Sequence, residues 1–153
     1  MNHLSYTRGP QDKPLLAMTI GQAFDATAAR FAEREALVVR HQRLRYSWAE
    51  LAEQVECCAR ALLALGVQQG ERVGIWAPNC AEWCITQFAT AKVGAVLVNI
   101  NPAYRTSELE YALNKVQVKV LVSAAGLKSS RYLDMLDDMA PEIRGHARPG
   151  VHR

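Results

Sequence analysis

The chain of 153 residues has a formal net charge of +3, with 50% hydrophobic, 22% charged and 7% aromatic residues. That length suits one soluble globular domain with a sizeable core, and apolar content with near-balanced charge argues against disorder. A strongly cationic nucleic-acid binder is disfavoured too. Arg144, Arg148 and Arg153 against Glu142 put +2 of the charge in residues 141–153.

Residues 1–18 read as a loose lead-in containing Gly9-Pro10 and Pro14, without the charged start and apolar core of a secretory signal. The mainly apolar stretch 84–100 carries Lys92 at its middle, so no transmembrane segment is expected and the cytoplasm is the expected compartment. From Thr19 a helix follows, with Ile20, Ala23, Phe24, Thr27 and Phe31 on one face and Thr19 and Gln22 at capping-box spacing. Residues 36–40 and 44–46 predict a short hairpin turning at His41-Gln42. Ser47 and Glu50 open the best-marked helix, whose stripe of Leu51, Val55, Cys58, Leu62 and Leu65 reads as core and which Gly66 stops.

A strand–helix alternation begins at Arg72. Strands are predicted at 73–76, 95–99 and 118–122, and helices at Ala81–Val93, 107–115 and 129–140. The cap pairs read from spacing are Asn79 with Glu82 and Ser107 with Glu110, and the stops are Gly94 and Pro141. Continuously apolar strands separated by helices imply a parallel sheet covered on both faces, an α/β fold. After Pro141 the sequence loses its apolar pattern, and residues 142–153 read as an irregular basic tail.

The chemistry of the chain is sparse. Cys57, Cys58, Cys80 and Cys84 have no histidine beside them in sequence except in flanking segments (His3, His41, His146, His152), so small buried thiols are the reading rather than a metal site. The loops after the strands, where open parallel sheets bind ligands, hold amides, hydroxyls and Arg105 but no acid–base pair. No G-x-G-x-x-G, G-x-x-x-x-G-K-[ST] or G-x-S-x-G occurs. Asn99 and Asn101 suit either a ligand or the bracing of their own loop, with bracing the more ordinary role. Arg105 can hold an anion or simply precede a helix, and Trp83 reads as a packing residue. No catalytic, cofactor-binding or metal residue is assigned.

The order of segments says more than any one of them. Residues 46–51 (YSWAEL), 61–67 (ALLALGV), 69–73 (QGERV), 77–83 (APNCAEW), 92–96 (KVGAV) and 99–105 (NINPAYR) follow one another. This succession resembles the N-terminal part of the AMP-forming acyl-CoA synthetases, of the adenylate-forming superfamily, from about Thr19 to Pro141. Residues 98–111 and 127–141 look most similar to the branch acting on medium- and long-chain fatty acids. The resemblance implies a partial N-terminal domain at 19–141: parallel βαβ units preceded by a helix and a short hairpin.

It also implies a chemistry for the whole family protein. A fatty acid and ATP with Mg²⁺ give an acyl-adenylate and pyrophosphate, and the coenzyme A thiol then gives acyl-CoA and AMP. The phosphate-holding motifs of that family lie downstream of the part matched. None of its site residues carries over, no cofactor is assigned to this chain, and the chain alone is expected to be inactive. The alternatives are a non-enzymatic binding module and one half of a split enzyme, with a partner chain covering an open sheet edge. An unrelated nucleotide binder is weakened by the missing glycine loop.

Overall fold

The computed structural model describes residues 15–142, together with Ser5, residues 8–10 and Asp12. The tail beyond Glu142, with His146 and His152, lies outside the described residues, as does His3.

Helix α1 (Ile20–Arg30) starts at the expected box: the Thr19 hydroxyl accepts from Gln22 N–H at 3.2 Å, and Gln22 Oε1 accepts from Thr19 N–H at 2.9 Å. Strands β1 (Glu35–Val39) and β2 (Leu44–Ser47) pair antiparallel. Their connection is wider than a turn at His41-Gln42, because a 3-10 turn at Arg40–Gln42 needs Arg43 in the left-handed region (φ 55°) to close it. Helix α2 (Trp48–Ala64) opens on the Ser47–Glu50 box and buries Leu51, Val55, Ala59 and Leu62. Leu65 departs from the expected stripe. It is the C-cap of α2 and is 61% exposed.

Next come β3 (Arg72–Trp76), α3 (Ala81–Val93), β4 (Val96–Asn99), α4 (Thr106–Lys115) and β5 (Val118–Ser123). The chain then makes a small antiparallel pair, β6 (Gly126–Leu127) and β7 (Ser130–Arg131), before α5 (Tyr132–Met139). Thus α5 begins three residues later than the predicted 129, since the pairing of β6 with β7 takes up those residues.

Two predicted caps are corrected. At α3 the N-cap is Cys80, whose side chain makes no cap bond, and Asn79 plays no such part. Gln42 from the hairpin turn does the work instead, accepting from Ala81 N–H at 2.7 Å and donating to the Glu82 carboxylate at 2.9 Å. At α4 the helix starts at Thr106, and the Glu108 carboxylate accepts from Arg105 N–H at 2.8 Å in place of the Ser107–Glu110 pair.

The three longer late strands form a parallel sheet of order β4-β3-β5. Alternate strand residues face opposite ways. Val73, Val120 and Val122 meet Phe24, Leu51, Val55, Leu62 and Ala89 of α1–α3, while Val98, Ile100 and Leu121 meet Leu109, Tyr132 and Met135 of α4 and α5. Helices therefore cover both faces, as predicted, with α3 and α4 as the crossovers on opposite sides.

The helical layer is closely fitted. A Cβ at Gly21 would lie 3.1 Å from Lys92 Cα, so α1 approaches α3 at a point where only glycine fits without displacing backbone. Beside it Lys92 Nζ reaches Asp25 of α1 at 2.7 Å and Glu56 of α2 at 3.2 Å, tying three helices together.

Candidate functional site

Ligands in open parallel sheets sit outside the carboxyl ends of the strands, so residues 77–80, 99–105 and 124–131 are the place to look. At the end of β3 the chain fills that edge with its own side chains. Trp76, the last residue of β3, is fully buried and stacks on Tyr132, with ring centroids 3.7 Å apart and planes 11° from parallel. Trp76 Nε1–H donates to the Asn101 carbonyl at 3.1 Å, and the Tyr132 hydroxyl donates to the Pro102 carbonyl at 2.5 Å. Burial pushes the Tyr132 phenol up from its ordinary value, in keeping with its role as a donor. Backbone bonds Ile100 N–H to Ile75 and Ala124 N–H to Trp76 extend the knit across all three strand ends.

The polar residues singled out from the sequence take structural parts. Asn101 Oδ1 accepts from Ala103 N–H at 2.9 Å, the self-bracing of a loop. Trp83 packs at the start of α3 and donates to the Ala77 carbonyl at 3.0 Å. Arg105 crosses to the β6–β7 pair, donating to the Ser130 hydroxyl at 2.9 Å. Asn99 is exposed and lies apart from these, in an open groove. Sequence reasoning missed Tyr132, and its signal was a tyrosine opening a helix directly after a strand-end loop.

The groove, of about 470 Å³, runs between β4 and α4. Val98, Ile100, Ala112 and Val116 give it apolar lining, and Tyr111 and Lys115 join at one another's side chains, Nζ to hydroxyl at 2.8 Å. Its carboxylate, Glu108, is engaged in capping α4.

The four cysteines are free, but none is fully buried as expected: Cys57 is exposed and Cys58, Cys80 and Cys84 are half-buried. Burial pushes the thiols of Cys58 and Cys84 up, and Cys80 is pushed up to about 11 by burial first and then by its hydrogen bond to Glu82. These three are held as thiols near neutral pH and are poor nucleophiles. Burial also pushes Glu82 up, but hydrogen bonds from Gln42 and its own backbone outweigh it and leave the carboxyl below its ordinary value.

This scaffold has a match. The model of the AMP-binding enzyme family covers residues 24–148. The chain belongs to that family. It is 45% identical over 148 residues to the mouse medium-chain acyl-CoA ligase ACSF2, a mitochondrial protein, an alignment covering 97% of this chain and 24% of the relative. Among solved structures, the N-terminal domain of FACL13 from Mycobacterium tuberculosis superposes with a TM-score of 0.70 and 28% identity, over 86% of this chain and 31% of that one. The Klebsiella oxytoca NpsA N-terminal subdomain gives 0.64 and 27%, over 70% and 27%. The chain thus spans about a quarter of the length of the acyl-CoA ligase relative it matches.

Proposed function

We propose that this chain is the N-terminal scaffold of a fatty-acid–CoA ligase and does not itself form the acyl-adenylate. The observation that carries the reading is the filled strand edge. Trp76 and Tyr132 occupy the position where an open α/β sheet would otherwise admit a ligand, and their polar atoms are spent on loop carbonyls. What such a unit does for a ligase is mechanical: it fixes the loops 99–105 and 124–131 relative to one another so that the rest of the enzyme is built on a rigid base. In the complete ligase, ATP, Mg²⁺, fatty acid and coenzyme A would be handled by groups contributed outside this chain. Titrating the purified chain with ATP and Mg²⁺ in a calorimeter tests this. No saturable heat is expected, and saturable binding overturns the reading.

A second reading, one half of a split enzyme, is favoured by the outer strands. Among the described residues β4 and β5 each have a single neighbour in the sheet, and Val96 on β4 is 49% exposed. A partner chain covering such an edge makes the pair soluble and the single chain prone to self-association. The free thiols suit a reducing compartment. We keep the cytoplasm as the setting, although the ACSF2 relatives are mitochondrial; recovery of the chain in a mitochondrial fraction would count against it.

A further inference from the structure

Residues 30–45 carry Arg30, Arg34, Arg40, Arg43 and Arg45 against Glu33 and Glu35, a net +3 equal to the formal charge of the whole chain. These arginines differ in what they touch. Arg30 and Arg34 each lie 5.0 Å from the centroid of the Phe31 ring, and Arg45 is ion-paired with Glu35. The guanidiniums of Arg40 and Arg43 have no ion-pair partner among the described residues. Together with Arg45 they line an open cleft of about 290 Å³ whose remaining lining is Val38 and Leu44.

The cleft sits on a pinned turn. Arg43 donates its N–H to the Arg40 carbonyl at 3.1 Å, and Gln42 between them is bonded at both ends of its amide to the start of α3. A held turn loses less freedom on binding than a loose loop tip does. Guanidinium forks match phosphate oxygens two at a time, which a point charge on lysine does not. Val38 and Leu44 add apolar surface against which the carbon portion of a phosphate ester can rest.

We propose that Arg40, Arg43 and Arg45 form a binding site for a phosphate-bearing anion, either a soluble phosphate compound or a phospholipid headgroup. The site lies at the hairpin turn, apart from the strand-end knit, and stands independently of the ligase reading.

The test uses the full chain at low ionic strength with two probes. Inorganic pyrophosphate is titrated by NMR, and phosphatidylcholine vesicles with and without phosphatidic acid are tested by co-sedimentation. Arg40→Gln with Arg43→Gln is compared with Arg60→Gln, an exposed arginine of α2. The double change should weaken binding about tenfold and the control less than about twofold. Arg40→Lys with Arg43→Lys, which keeps the charge and fits the same turn, should fall between them and serves if the glutamine pair melts without cooperativity. Binding of pyrophosphate assigns a soluble ligand, and binding only of phosphatidic acid vesicles assigns a headgroup. Failure to bind either probe, or an equal loss in Arg60→Gln, overturns the proposal.

Discussion

Replacing Trp76 with alanine removes the centre of the strand-end knit. The indole is fully buried, lies face to face with Tyr132 and donates to the Asn101 carbonyl. A buried aromatic withdraws about 150–250 Å² from water, which at about 25 cal/mol per Å² is about 4–6 kcal/mol. Measured truncations of this kind cost about 3–5 kcal/mol. A small domain has only about 5–15 kcal/mol in total. Trp76→Ala should therefore consume much of the stability, read as a lowered midpoint in urea unfolding followed by far-ultraviolet circular dichroism. Tyr132→Phe keeps the ring and removes only the bond to Pro102, for about 1–2 kcal/mol. In a double-mutant cycle, Trp76→Ala and Tyr132→Ala should couple by about 0.5–1.5 kcal/mol beyond additivity. A cost below about 1 kcal/mol for Trp76→Ala would mean that the indole does not plug the sheet edge.

Two further predictions concern the helical layer. Gln42→Ala should destabilise by about 1 kcal/mol, since it strips the Ala81 N–H and Glu82 of their partner, while Asn79→Ala stays within about 0.5 kcal/mol; equal costs in urea unfolding would contradict the assigned cap. The hydrogen bond to Asp25, with that to Glu56, holds the Lys92 ammonium above its ordinary value, so its contribution is fully present below about pH 10.4 and lost as pH rises through the folded-state value. Lys92→Met should show less of that alkaline loss in melts across the range, and an unchanged slope would remove Lys92 as its source.

How much of this could be read in advance follows from the range of the interactions. The boxes at Thr19–Gln22 and Ser47–Glu50 lie within one turn, so spacing alone reveals them. The alternation of strands and helices and the two-sided covering of the sheet follow from apolar patterning in the same local way. The cap of α3 was not legible, because its donor and acceptor come from Gln42 in a separate hairpin, and a plausible local pair at Asn79 and Glu82 masked it. Leu65 fits the heptad-like spacing but falls on the C-cap, where the helix no longer points it inward. Tyr132 finds Trp76 only after the β4–α4–β5 crossover brings their segments together. Residues 99–105 were legible as a loop at the ligand edge, yet their occupation by the chain's own carbonyl partners required the fold.

The proposed function makes the chain a scaffold and leaves adenylate formation to groups it does not carry. ATP–pyrophosphate exchange, assayed with the purified chain, Mg²⁺ and a medium- or long-chain fatty acid, tests it most directly. No exchange above the protein-free background is expected at any fatty-acid concentration. Exchange that requires both the chain and the fatty acid would contradict it.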